Sequence, residues 1–366
     1  MKSHSDKLIK LEMIRGFAAV YVAIGHTVKN SLMIANINFS YLFRFGQEAV
    51  ILFFILSGIV IQYSFVKSEN KSFQSFFLRR FLRIYVPLLL VFFTNYLLVY
   101  FSEGLAQVSW AELAGNILML QDYSQVKPGT LVAPFLGNSP LWSLSYEWWF
   151  YFIFFALYSR FGSRSGRYAH AISIIAAISY FFYPTFAGRV MMYLTIWWAG
   201  ADIALLYVRN EAITLKTLAI PLSSITAITI ILGLNAYFNA DKMSALLHDS
   251  GPGVSPILEL RHFAFAFLII PAALLWRAWK WIGFYPIFGV FKHIAPISFG
   301  IYISHFFLIS NANYLANVLP NRPLQLIVYT LVCLIFSYVV ERKIYPAVSQ
   351  MFRKQTAPQK AALTLK

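Results

Sequence analysis

Apolar residues run along this chain in stretches of about twenty, each set off from the next by a short polar or basic segment. A helix needs roughly 20 such residues to cross a hydrocarbon core about 30 Å thick. About ten stretches are long enough, near 13–34, 46–66, 84–102, 140–159, 168–185, 188–208, 217–237, 258–276, 294–313 and 323–341. Longer connections fall at 103–139 and 238–257. No internal repeat of fixed period is visible. The pattern predicts an all-α integral membrane protein, a bundle of about ten transmembrane helices forming one domain over residues 1–345. Residues 346–366 read as a tail, and its last dozen, QTAPQKAALTLK, as disordered.

The first stretch, LEMIRGFAAVYVAIGHTVKN, is interrupted by Arg15 and His26. Eleven steps of about 100° make roughly three turns, so both side chains fall on one helix face, about 16 Å apart along the axis. Ionisable groups within a span line a cavity or find partners, because facing lipid costs several kcal/mol. Glu147, in SPLWSLSYEWWFYF, and His305, in ISFGIYISHFFLI, break two later stretches in the same way.

Composition strengthens the membrane reading: 59% of the 366 residues are hydrophobic and only 12% charged. The net charge of +16 follows the positive-inside rule rather than a nucleic-acid footprint. With a cytoplasmic N-terminus and an even number of spans, both termini are cytoplasmic. Roughly 22 of the 30 Lys and Arg residues then lie inside and about 7 outside. The first stretch carries Glu12, Arg15 and His26 without a small-residue cleavage site, so it reads as a retained span. Cys333 is the only cysteine, which excludes disulfides and thiolate metal sites; no metal is expected.

In this topology His26, Glu147 and His305 share a depth in the outer half of the bilayer, a set suited to general acid–base chemistry. At the inner boundary, Arg79, Arg80 and Arg83 in SFQSFFLRRFLRIYVPLL share a helical neighbourhood suited to phosphates. Each has a plainer reading. A histidine can bond a neighbouring carbonyl, a carboxylate can pair with an arginine, and basic residues at an inner boundary serve topology and anionic lipid. Gly16, Gly58, Gly200 and Gly300 lie within spans and predict close helix contacts. No GxxxxGK or GxGxxG loop is present.

The wording and order of five segments resemble the acyltransferase-3 family of integral membrane O-acyltransferases. LEMIRGFAAVYVAIGH is similar to the family's LDxLRGxAAxxVxxxH, and FFILSGIVI at 53–61 to FFxLSGFLI. RRFLRIYVP at 79–87 is similar to RRxxRIxP, and LWSLSYEWWFY at 141–151 to WSLxxExxFY. SFGIYISHFFLI at 298–309 resembles the late YxxYLxH block, with Phe299 where tyrosine is usual. The late Glu-Lys-Pro signature is kept only as Glu341-Arg342-Lys343, with proline delayed to Pro346.

The resemblance implies transfer of an acyl group, most often acetyl, from cytoplasmic acyl-coenzyme A to a hydroxyl of a cell-surface or lipid-linked glycan. It implies a bacterial inner-membrane location and no permanently bound cofactor. By the same resemblance, His26 and Glu147 are the expected catalytic residues, with Glu147 orienting or charge-balancing His26. Arg15, Arg79, Arg80 and Arg83 are the expected acyl-CoA-binding residues. Ser57, Trp142, Ser145, Tyr302 and His305 are candidates to line the site. His26 could act as general base or carry the acyl group itself. Aromatic residues around 142–151 suit sugar stacking or an interface belt. A transporter of an acyl or anionic solute would share the membrane composition, the polar interior and the basic inner mouth; the five co-linear segments favour the enzyme.

Overall fold

The computed structural model describes residues 2–28, 32–35, 37–103, 108–240 and 253–356. Helix α1 (Lys2–Val28) leads into a two-residue hairpin, β1 (Met33–Ile34) and β2 (Ile37–Asn38), with Met33 opposite Asn38 and Ile34 opposite Ile37. Then come α2 (Gly46–Lys67), α3 (Phe73–Glu103) and the short α4 (Trp110–Ile117). A loop leads to α5 (Trp142–Phe161), α6 (Ser165–Phe182), α7 (Phe186–Val208) and α8 (Ala219–Phe238). Helix α9 (Ile257–Ala278), the single turn α10 (Phe284–Phe288) and α11 (Ser298–His305) follow. Helix α11 continues as a π turn, Phe306–Ser310. Helix α12 (Arg322–Val339) likewise passes through a π turn, Val340–Ile344, into α13 (Tyr345–Thr356).

Each expected apolar stretch coincides with a helix, but the boundaries move. The first helix stops at Val28, and the hairpin occupies the end of the stretch expected to reach 34. Helix α3 starts at Phe73 rather than 84, so Arg79, Arg80 and Arg83 are helical. Helix α13 takes up the start of the expected tail, whose last residues, 357–366, lie outside the described residues. Among the described residues six helical segments are long and apolar enough to cross a membrane: Phe39–Lys67, Phe73–Phe101, Phe186–Val208, Ala219–Phe238, Ile257–Ala278 and Arg322–Phe352. The pair Phe284–Lys292 and Ala295–Ser310, bent by 47°, makes a seventh if it forms one span. Helices α1, α5 and α6 stand outside this group. They carry Glu12 and Arg15, the Trp-, Tyr- and Ser-rich WSLSYEWW, and Arg167 with His170.

Helix α7 is the axis of the bundle. From Met192 to Ala201 every residue is buried, as expected of a helix apolar on all sides and packed all round. It crosses α2 at two glycines. A Cβ built on Gly58 would lie 1.9 Å from the Trp197 carbonyl oxygen, and one on Gly200 would lie 2.0 Å from that of Ile55. Those distances lie far inside van der Waals contact with backbone, so a methyl group forces the helices apart. Gly58→Ala should cost about 1–3 kcal/mol or more, read as a lower thermal midpoint in detergent. Gly233→Ala in α8, where nothing lies within 4 Å, should be neutral or slightly stabilising.

Candidate active site

The crossing of α1 and α11 brings the two expected histidines together. His26 Nδ1 lies 2.8 Å from His305 Nε2. The rings lie edge to edge and nearly coplanar, with centroids 5.1 Å apart and planes 8° from parallel, and the edge of Phe306 closes one side at 6.2 Å. His305 Nδ1 lies 2.8 Å from the carbonyl oxygen of Tyr302 and 3.1 Å from that of Ile301, one turn back on its own helix. Tyr302, also expected at the site, donates to the Pro140 carbonyl at 2.9 Å and lies 2.7 Å from Ser143 Oγ. This ties α11 to the start of α5. Beside the histidines, Thr27 and Ser310 hydroxyls meet at 3.1 Å.

His26 also lines the wall of a cavity of about 1060 Å³, ample for a small-molecule or oligosaccharide ligand. Trp142, Tyr123, Gln125 and Gln47 line it as well, together with Arg44 and Arg261. Arg44 packs over the Tyr41 ring at 3.9 Å. Arg261 donates to Glu48 in the first turn of α2 at 2.5 Å. The lining comes from the end of α1, the 43–47 turn, the loop before α5, and α9.

Glu147 is placed elsewhere. Its Oε1 accepts hydrogen bonds from Ser57 Oγ and Tyr151 OH, both at 2.5 Å. Trp197 Nε1 donates to the same serine at 3.2 Å. The expected Glu147–His26 pairing is therefore replaced: the ring partner of His26 is His305, and the carboxylate is satisfied by hydroxyl donors from α2 and α5. Its charge instead reaches Arg15 and Arg80. Ser145 also departs from expectation. Its hydroxyl donates to the carbonyls of Gln121 and Trp142, both at 2.7 Å, and anchors the preceding loop.

The arginines gather around Glu147 and Glu341. Arg15 lies in the field of Arg83, Glu12, Glu147 and Glu341. Its buried Nε has no hydrogen-bond partner among the described residues. Arg80 donates to Ser64 at 2.9 Å while its Nε is likewise unpartnered. Arg79 is held by Ser75 at 2.6 Å. Arg83 is ion-paired with Glu341 and packs on the rings of Phe299 and Tyr345 at 5.1 and 5.2 Å. The late segment of the chain thus completes the arginine site, with Phe299 serving as a π face for Arg83.

Behind the cavity lies a buried ionic network that the sequence reading did not single out. Asp122 accepts from Lys127 at 2.9 Å, from Arg189 at 3.0 Å and from Tyr146 at 2.6 Å. Arg189 also donates to the Tyr180 hydroxyl at 2.6 Å and the Pro128 carbonyl at 2.9 Å, and Tyr180 donates to Glu259 at 3.1 Å. Lys127 Nζ sits 3.2 Å from the centroid of the Trp142 ring, a cation–π contact that fixes the indole as a wall of the cavity. His262 lies parallel to the same ring at 6.2 Å.

Residues 8–342 match the acyltransferase-3 family, described as an acyltransferase domain, and the chain belongs to that family. The chain is also similar to the acyltransferase MdmB of Streptomyces mycarofaciens, at 32% identity over 155 residues. That alignment spans 40% of this chain and only 38% of the relative. No solved structure matches the chain.

Proposed function

We propose that this protein is a multi-pass membrane O-acyltransferase. It takes an acyl group, acetyl by family habit, from cytoplasmic acyl-coenzyme A and passes it to a hydroxyl of a surface or lipid-linked glycan. The observation that carries this reading is the polarity of α1. One end of its polar face presents Arg15, with an unpartnered buried donor, in the field of Glu147, which also acts on Arg80. The other presents His26 at the wall of the large cavity, about 16 Å away along the axis. Phosphates at the arginine end and an acceptor hydroxyl in the cavity place the two substrates at the middle and the C-terminal end of α1, on one face. The thin arm of coenzyme A bridges them.

In this reading Arg15 and Arg80 grip phosphate oxygens, and Arg79 and Arg83 flank them. Glu147 balances the arginines when no nucleotide is bound. His26 removes the proton of the attacking hydroxyl, and Trp142 offers a face for a sugar ring. Ten spans with both termini cytoplasmic put the arginine end inside and the cavity outside.

Purified protein in detergent, given radiolabelled acetyl-CoA and candidate glycan acceptors, should form labelled ester and free thiol. A transporter would release neither. Arg80→Gln should raise the KM for acetyl-CoA about 10–100-fold with little change in kcat, because a charge-assisted hydrogen bond contributes about 1.5–3 kcal/mol. An unchanged concentration dependence would remove Arg80 from the donor site.

A further inference from the structure

We infer that His305 is a positioning residue that fixes the tautomer of His26, leaving the Nε2 of His26 as a bare base facing the cavity. The inference follows from counting hydrogens. Both groups facing His305 Nδ1 are backbone carbonyl oxygens, of Tyr302 and Ile301. A carbonyl oxygen only accepts, so Nδ1 must carry the proton. In the neutral ring Nε2 is then a lone pair. That lone pair faces His26 Nδ1 at 2.8 Å, and a contact this short needs one hydrogen between the nitrogens. His26 Nδ1 must supply it. In the neutral His26 ring the remaining nitrogen is therefore unprotonated, and a charged ring is the state reached only after it takes a proton there. Among the described residues Nε2 has no hydrogen-bond partner, and the ring lines the cavity.

The alternatives fail on the same count. If both rings were charged, an N–H would meet an N–H. If His305 alone were charged, His26 would hold its proton on Nε2 and could not accept another from a hydroxyl in the cavity. Another histidine of this chain shows the contrasting arrangement. His170 lies 2.9 Å from the Asp202 carboxylate and 2.7 Å from Thr195 Oγ1, so its Nε2 carries the proton. A carboxylate beside Nδ1 of His26 would hold the resulting imidazolium strongly. A neutral imidazole there fixes the ring equally well and stabilises the cation less, which favours prompt return of the proton.

The consequence rests on the acyl-transfer reading above, although the tautomer itself does not. The acceptor O–H proton moves to His26 Nε2 as the oxygen–carbon bond forms. The carbon–sulfur bond breaks, and the thiolate of coenzyme A takes the proton from Nε2. Through the cycle Nδ1–H of His26 stays donated to His305, and no net proton is gained or lost.

Nitrogen-15 histidine labelling of the full chain in detergent, read by long-range proton–nitrogen correlation, tests the inference. His26 and His305 should both show the Nδ1–H form, and His170 should show a protonated Nε2. Substitution at each position assigns its signals. His305→Leu offers no acceptor and should shift His26 toward Nε2–H, lowering kcat about 10²–10⁴-fold with the KM for acetyl-CoA nearly unchanged. His305→Asn, whose amide oxygen can accept from Nδ1–H, should restore the tautomer and part of kcat. A native His26 protonated at Nε2, or a tautomer indifferent to both substitutions, would overturn the inference. If the tautomers are as stated but the native protein transfers no acyl group, the tautomer assignment stands and the acyl-transfer reading falls. If His26→Ala transfers acyl groups normally, the role of His26 as base falls. Should His305→Leu fail to fold, the native spectrum and the asparagine variant decide the matter.

Discussion

Alanine at position 26 should lower acyl transfer from acetyl-CoA by about 10²–10⁴-fold, the range that a positioned general base contributes. Its effect on donor binding should be small, because Arg15 lies about three helical turns away along α1 and the other arginines that would hold the nucleotide belong to α3. The expected kinetic signature is thus a fall in kcat with KM for acetyl-CoA nearly preserved, the pattern of an interaction made in the transition state. The protein should remain folded. His26 is only half-buried and lies at the cavity wall, so truncation enlarges an existing space rather than opening a void in the core. Steady-state kinetics with an unaltered elution profile in detergent would establish both points. Turnover within a few-fold of the native enzyme would take the chemistry away from this imidazole. The same variant separates the two ways in which the ring could act. A general base gives a ternary-complex rate law, whereas an acyl-imidazole gives ping-pong kinetics and a label trapped on the native protein but absent from His26→Ala.

Much of this site was legible in the sequence, because an ionisable group in an apolar stretch has few places to go. Arg15, His26, Glu147 and His305 stood out for that reason, and the structure gives each a polar surrounding. Two of the three residues placed at one level by span arithmetic, the histidines, do meet, whereas Glu147 lies with Ser57 and Tyr151 instead. Pairing was not legible. Helical period gives the face of a single helix, while the partner depends on how helices cross, and the close α2–α7 crossing brings Ser57 to Glu147. Tyr151, four residues after Glu147, could have been found from the i,i+4 rule. Arg189 carried the same signal as Arg15, a cation inside the stretch at 188–208, and pointed to the buried network. Lys127 and Asp122 offered no such signal. They sit in a connection that reads as a polar external loop, and only the fold shows that it is drawn into the bundle. The single-turn segments between α9 and α11, and the π turns, leave no clear mark on a hydropathy pattern.

That buried network predicts the largest effect on folding. Arg189, Asp122 and Glu259 are fully buried, and Lys127 nearly so. Removing one partner of a buried ion pair strands the other charge, at a cost of about 3–5 kcal/mol. Arg189→Met should show a cost of this size in thermal unfolding in detergent, because it strips Glu259 of its nearby cation and Asp122 of one of two. Pairing it with Glu259→Gln should recover part of the loss, since the second change removes the charge left without its ion-pair partner by the first. Simple additivity would mean that the two groups do not interact.

The loop members add a pH signature. Burial lowers the Lys127 ammonium to about 8 from an ordinary 10.5, with Asp122 opposing the shift. Between those values the folded protein has released a proton that the unfolded chain still holds, so this group makes stability rise with pH across that window. Asp122 shifts the other way. Burial pushes it up, but Lys127 and Arg189 outweigh burial and hold it below 3.8. Its contribution is complete above 3.8 and disappears as pH falls through the folded value. Lys127→Met should therefore abolish the alkaline slope while the acid limb, carried by Asp122 with Arg189, persists. Because Lys127 packs on Trp142, loss of its proton should also change the indole emission with a midpoint near 8. An emission change that survives in Lys127→Met would have to come from another group. Its disappearance would tie the charge state of the buried lysine to the wall against which the acceptor is expected to stack.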